Sequence, residues 1–317
     1  MRKNVLISGG FGFLGSSLTS FLLKQGCEIA VLSPSFPAYA QAFRERCEFI
    51  EADITKPIRA SLSKKYDVVL HLAAANEVES QDQYRALMVN AFGTRNMLDF
   101  AVRNSILKFL YFSTFHVYGE SRGEIRETTP LRPSNDYAAT HAFGEQYVQM
   151  FTKNTPLCGI IVRPTNAYGA PLFAEIDRWS LVPSCFCKEL VSHGRITLQS
   201  SGNQLRNFIS LDDINTAVVV LLEHFDTTEA GQLEVYNIAS DITISIRGMA
   251  ERTKSAYEAF FGKDASIRYL SNKPEDGGFL SVDFEKIKKL GYVPSPQQKV
   301  EEELKKIFTL LAKRKSI

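Results

Sequence analysis

The sequence is poor in the features that mark several broad classes. Its longest apolar runs, such as residues 217–222, fall far short of the roughly 20 residues a membrane span requires, so no membrane-spanning helix is expected. Charge of one sign is scarce: 37 Lys and Arg against 35 Asp and Glu leave a net +2. That is too little for a surface built to hold nucleic acid, so any anion site must be local. There are five cysteines (Cys27, Cys47, Cys158, Cys185, Cys187), an odd count scattered mostly through apolar segments, which suits reduced buried thiols better than a disulfide framework. Cys185 and Cys187 lack the usual zinc spacing and no second pair follows, so no metal site is expected. Behind the basic Arg2-Lys3 start, Gly9, Gly10 and Gly12 break the apolar stretch before a signal peptide forms, and a cytoplasmic location is expected.

What is present is a chain of 317 residues, 44% hydrophobic and 23% charged, which is enough to bury a large core and too apolar for disorder. Short β-branched runs alternate with longer amphipathic stretches, the pattern of parallel strands joined by crossover helices. Strands are expected over 5–8, 28–32, 47–51, 67–72, 108–113 and 157–162, and helices over 14–25, 81–104 and 137–153. Right-handed connections then give an α/β, doubly wound, Rossmann-like parallel sheet. After Gly169 the alternation fades. A helix from Trp179 to 189, a short strand near Ile196 and a helix over 211–224 are expected there. Further on come a helix over 246–261, a strand over 267–270 and a charged helix over 300–313 with a solvated face. The expected division is a dinucleotide-binding domain (1–170 with about 207–240) and a smaller, interleaved C-terminal substrate lobe (about 171–206 with 241–317).

Directly after the first strand stands Ser8-Gly9-Gly10-Phe11-Gly12-Phe13-Leu14-Gly15. Glycines in this order, between strand and helix, let the backbone turn sharply, approach a pyrophosphate and pack the helix close to the strand. The helix N-terminus then offers unpaired N–H donors to the anion. About 20 residues on, where an acidic side chain would bind the ribose hydroxyls of NAD, the chain has Ser33. A neutral hydroxyl accepts either a ribose or a 2′-phosphate, so NAD and NADP both stay open; Arg44 and Arg46 are candidates for that phosphate, or simply a solvated helix face. Asp53 is a candidate contact on the adenine side.

Several motifs follow in order: Asp53-Ile54, His71-Leu72-Ala73-Ala74, Asn90-x-x-Gly93-Thr94-x-Asn96, Ser113-Thr114 with Val117-Tyr118-Gly119, Tyr137, Arg163-Pro164-x-Asn166-x-Tyr168-Gly169, and Gly202-x-x-x-Arg206-x-Phe208-Ile209. With the glycine loop they make the chain resemble the extended short-chain dehydrogenase/reductase family, the NAD-dependent epimerase/dehydratase group acting on nucleotide sugars; the likeness weakens after residue 240. The resemblance implies an NAD(P)(H) cofactor and a nucleotide-sugar substrate. It makes Tyr137 the acid/base residue with Thr114 as its hydrogen-bond partner. It brings Gly9, Gly12, Phe13, Leu14, Gly15, Ser33, Asp53, Ile54, Leu72, Ala73, Ala74, Asn90, Ser113, Tyr137, His141 and Arg163 to the cofactor. Thr114, Phe115, His116, Asn166 and Arg206 fall to the substrate, Arg206 as a rigid donor fork for phosphate. It also suggests a homodimer through the 81–104 and 137–153 helices, whose apolar residues fit burial against the sheet equally well.

Two departures from the family pattern narrow the expectation. The family's Tyr-x-x-x-Lys is Tyr137-Ala138-Ala139-Thr140-His141 here. Lysine would hold the nicotinamide ribose and pull the tyrosine pKa down. Histidine can hydrogen-bond the ribose but is largely neutral at pH 7, which suits a protonated Tyr137 donating to a ketone. Where the family's dehydratases carry an Asp-Glu pair after the Thr, this chain has Phe115 and His116, which disfavours simple 4,6-dehydration. The expected activity is 4-keto reduction or epimerisation of a nucleotide sugar, in cell-surface polysaccharide biosynthesis; the alternative is a non-catalytic nucleotide- or nucleotide-sugar-binding protein that has lost the lysine-assisted chemistry. Trp179 is expected in the core, and Arg178 in the lobe that varies with substrate.

Overall fold

The computed structural model describes residues 2–119, 121–271, 277–297 and 299–315. Seven strands form the central sheet: β1 (Asn4–Ser8), β2 (Glu28–Ser33), β3 (Cys47–Glu51), β4 (Val68–His71), β5 (Lys108–Phe112), β6 (Cys158–Pro164) and β7 (Leu233–Ile238). Their order is β7-β6-β5-β4-β1-β2-β3 and every pairing is parallel. Both faces are covered, which is why β1, β2, β4, β5 and β6 are buried at nearly every position rather than alternating. Val5, Ile7, Ile29 and Val31 pack on one side with α1 (Phe13–Lys24) and α5 (Leu211–His224). Leu6, Ala30 and Leu32 pack on the other with α2 (Gly93–Arg103) and α3 (Asp136–Asn154). Strand order reverses between β1 and β4, and the crevice beyond their C-terminal ends is where such sheets take ligands.

A second core lies outside the sheet. It joins α4 (Val182–His193), α6 (Ile246–Phe261) and α7 (Lys299–Lys315), with Trp179, Phe186, Leu190, Met249, Leu304 and Phe308 buried together. The charged C-terminal helix is thus two-sided: Val300, Leu304, Ile307 and Phe308 are buried while its Lys and Glu residues mostly face out. Short strands Asn166–Tyr168 and Leu205–Ser210 pair in parallel and lead from the sheet into this region. No helix among the described residues is long and apolar enough to cross a membrane.

Three elements differ from expectation. β7 has no clear sequence signal because Glu234 and Asn237 interrupt its apolar pattern; Glu234 faces His224 and Lys286, and Asn237 bonds Tyr118. The helix expected over 81–104 is built as Gln83–Ala86, a π-turn Leu87–Phe92 and α2. The helix expected from Trp179 starts instead at Val182, because Pro183 is accepted in a first helical turn and not in an interior one.

Candidate active site

At the crevice, the glycine loop is a backbone cradle. Gly9 has φ +77°, and a Cβ there would lie 2.6 Å from the Ala73 nitrogen beyond β4; a Cβ on Gly15 would lie 2.1 Å from the Gly9 carbonyl oxygen. Side chains are excluded at both positions, so loop, helix and β4 close on one another. No side chain caps α1, whose first helical bond runs from the Ser16 N–H to the Gly12 carbonyl. The N–H groups of its first turn are therefore left for an anion. Ser33 ends β2 half-buried. Asp53 accepts from the Thr55 N–H and hydroxyl at 2.9 and 2.7 Å, and the Ile54 carbonyl is held by Asn96 at 2.7 Å, while the Ile54 side chain seats against Gly93. Leu72 and Ala73 are half-buried and Ala74 is exposed.

A cavity of about 320 Å³ opens beside this cradle, lined by Phe13, Leu14, Glu77, Ser113, Thr114, His116, Tyr137, Asn166, Arg178 and Leu181 among others. Thr114 sits just past β5, the Asn135 side chain caps α3 by accepting the Ala138 N–H at 2.8 Å, and Tyr137 stands in that first turn. Burial raises the Tyr137 pKa above the ordinary phenol value and the charge of Glu77 raises it further; a hydrogen bond with Thr114 and the Arg178 charge oppose them without prevailing. The phenol is thus held protonated. His116, with its ring 6.0 Å from that of Tyr137, is held below the usual imidazole range by burial, with Glu77 partly opposing. Glu77 pairs with Arg178 at 3.1 Å across the cavity; burial would raise the Glu77 carboxyl, but the charge and hydrogen bond of Arg178, a backbone hydrogen bond and His116 together lower its pKa.

His141 lies one turn below Tyr137, with ring centroids 4.7 Å apart. It is buried, its Nδ1 is 3.0 Å from the Tyr111 hydroxyl, and its Nε2 has no partner. Burial pushes its pKa down to about 4, so the imidazole is neutral. Arg206 is half-buried, donates to the Leu205 carbonyl at 2.8 Å and, among the described residues, has no carboxylate at ion-pair distance. Its candidate partners are engaged elsewhere: Asp212 with Lys306, and Asp213 with the Ser295 N–H. Asn166 lines the cavity while donating to the Asn207 carbonyl at 2.8 Å.

Three of the residues expected at the ligands have side chains engaged within the protein. Phe115 is buried in the main core, edge-on to Tyr118, because the turn after Thr114 rotates it inward. Arg163 is buried in a two-bond pair with Glu145 (2.9 and 2.6 Å) and donates also to Tyr118 and the Glu127 carbonyl, so four of its five N–H donors are spent inside the protein. Asn90 is 1% exposed and spent on Ala75 and Thr140, pinning the loop after β4 to α3. The Ser113 hydroxyl lines the cavity but donates to Glu145 at 2.5 Å. Sequence reasoning missed Glu145, Tyr111 and Glu77. Glu145 could have been found, since it follows Tyr137 and His141 at four-residue steps, a charge on a buried helix face. Tyr111 and Glu77 carry no local signal.

The family model for the NAD dependent epimerase/dehydratase family matches residues 5–239. A mouse dTDP-D-glucose 4,6-dehydratase is 27% identical over 313 residues, covering 92% of this chain and 84% of that protein. The low-salt glycan biosynthesis protein Agl12 of Haloferax volcanii is 28% identical over 304 residues, covering 92% and 93%. Among solved structures, the UDP-glucuronic acid 4-epimerase of Bacillus cereus in complex with NAD superposes with a TM-score of 0.80 at 25% identity, covering 99% of this chain and 97% of that one.

Proposed function

Because the chain belongs to the NAD dependent epimerase/dehydratase family, we propose that it is a nucleotide-sugar enzyme that reduces a 4-keto sugar, or epimerises a sugar through a transient ketone, with Tyr137 as the acid/base residue. The observation that carries this reading is that Tyr137 and Thr114 line one cavity beside the glycine cradle, with burial raising the phenol pKa. A dinucleotide fits the residues present: an uncapped helix N-terminus for its diphosphate, glycines that leave no side chain in the way, and a buried unpartnered nitrogen on His141 for a ribose hydroxyl. When bound, NAD or NADP gives or takes a hydride; Ser33 permits either. Tyr137 supplies the proton to the carbonyl oxygen as the alcohol forms, Thr114 orients the same oxygen, and Arg206, which has no carboxylate partner among the described residues, receives a phosphate of the nucleotide. A neutral His116 and a buried Phe115 stand where a dehydratase needs carboxylates, which supports redox chemistry over elimination.

Residues 1–170 with 207–240 would hold the dinucleotide, and the remainder would hold the sugar. A homodimer is supported by Tyr84 (74% exposed), Phe92, Phe143 (56%) and Met150, which present apolar surface on the two outward helical segments. Five free cysteines suit a cytoplasmic setting. The relative named for glycan biosynthesis supports a place in making cell-surface polysaccharide. The test is to incubate the protein with NADPH or NADH and 4-keto nucleotide sugars, and with UDP-sugars for epimerisation. Turnover that Tyr137→Phe abolishes, with cofactor affinity nearly intact, supports the reading. Cofactor binding without turnover of any sugar favours the non-catalytic alternative, and full activity in Tyr137→Phe removes Tyr137 from the chemistry.

A further inference from the structure

A neutral imidazole carries one N–H, so whatever meets one ring nitrogen decides whether the other is a donor or an acceptor. In His141, Nδ1 meets the Tyr111 hydroxyl at 3.0 Å and Nε2 is buried without a partner. Tyr111 comes from β5 in the middle of the sheet and is 2% exposed, its ring stacked on His71 at 5.7 Å. The seat for its hydroxyl is cut into α3: a Cβ on Gly144 would lie 2.2 Å from that oxygen. A phenol on a strand and a missing side chain on a helix therefore converge on the same ring nitrogen.

The direction of the bond follows from the groups around it. Thr94 commits its proton to the Asn90 carbonyl at 2.6 Å, so His71 Nε2, 3.0 Å from the Thr94 oxygen, must be the donor there. His71 Nδ1 is then the acceptor of the Ser8 hydroxyl at 2.5 Å. Thr94 lies near Tyr111 as well, but its hydroxyl is bonded to His71 and the Asn90 carbonyl and no hydrogen bond joins it to the phenol, whereas His141 Nδ1 is at bonding distance. The other acceptor open to Tyr111 is the His141 carbonyl at 3.3 Å, longer than the 3.0 Å to Nδ1 and placed to take a helical N–H. Burial holds the Tyr111 phenol far above its ordinary pKa, so the proton is there to give.

We propose that Tyr111 is a positioning residue: by donating to Nδ1 it locks His141 in the Nε2–H tautomer, so that Nε2 presents a neutral N–H donor where the family's lysine would present a cation. The lock is a property of the protein alone. That its free donor meets a ribose hydroxyl rests on the function proposed above.

The experiment is long-range ¹⁵N–¹H correlation on protein labelled with ¹⁵N-histidine, without cofactor, at neutral pH. The expected spectrum assigns His141 a pyridine-type Nδ1 and a pyrrole-type Nε2, and Tyr111→Phe is expected to populate the opposite tautomer. A pyrrole-type Nδ1 in the wild-type protein overturns the proposal even if the variant fails to fold. So does an unchanged tautomer in a folded Tyr111→Phe. NAD titration of the same variant should show affinity about three- to tenfold weaker, the worth of one hydrogen bond. A switched tautomer with unchanged affinity supports the lock and removes His141 from the ribose instead.

Discussion

Replacing His141 with lysine tests how the neutral imidazole shapes the acid/base chemistry. Wild-type His141, with its pKa pushed down to about 4 by burial, contributes no charge beside Tyr137 at neutral pH. A lysine ammonium would stand about 5 Å from the phenol, judged from the 4.7 Å between the two rings. At an effective dielectric constant of about 20, opposite unit charges at that separation attract by about 3 kcal/mol. That attraction favours the tyrosinate and lowers the Tyr137 pKa by about two. The sign for catalysis differs with direction. Sugar oxidation needs the tyrosinate, so its rising limb should move about two pH units lower in His141→Lys. Keto reduction needs the phenol, so its falling limb should move down equally. Below both pKa values the tyrosinate fraction rises tenfold per pH unit, so oxidation rates followed at the reduced-cofactor absorbance from pH 6 to 10 should be about 100-fold higher in His141→Lys at each pH, and Tyr137→Phe should lack this dependence. The variant also loses the Tyr111 partner and buries an ammonium, so a lower melting temperature is expected alongside. Oxidation rates that match the wild type at each pH would refute the argument that residue 141 sets the ionisation of Tyr137.

The remaining expectations concern stability and assembly. Folding holds His71 and His141 down to about 3 and about 4 from 6.5, mainly by burial. The unfolded chain therefore binds protons first, and stability present above pH 6.5 is lost as pH falls toward 4, by at most about 1.4 kcal/mol per pH unit for each histidine; urea unfolding that is flat from pH 7 to 5 would contradict this. Glu145→Gln leaves the buried Arg163 guanidinium without its carboxylate and should cost about 3–5 kcal/mol in the same assay, whereas a loss under 1 kcal/mol would mean the pair is better solvated than its burial implies. Phe143→Asp, on the exposed face of α3, should shift the protein from dimer to monomer in light scattering with the melting temperature of the monomer little changed; an unaltered mass would place the interface elsewhere.

Much of this molecule was determined by local chemistry that a linear reading reaches. Apolar β-branched runs can bury two faces only between helices, so the first six strands follow from composition, and the glycine loop follows because no side chain can occupy Gly9 or Gly15. Tyr137 and Thr114 were legible through the resemblance to the family, and their places at a helix start and a strand end fit one edge of a parallel sheet. Tertiary structure alone decided what each polar side chain spends its hydrogen bonds on. Arg163 has the same five donors whether it faces a phosphate or a carboxylate, and only folding put Glu145 against it. His141 shows the point most plainly: its place on α3 was evident from spacing, but its charge, and which nitrogen stays free, depend on burial and on Tyr111, 30 residues away in the chain. Desolvation and pairing are set by neighbours in space, and a sequence records only neighbours along the chain.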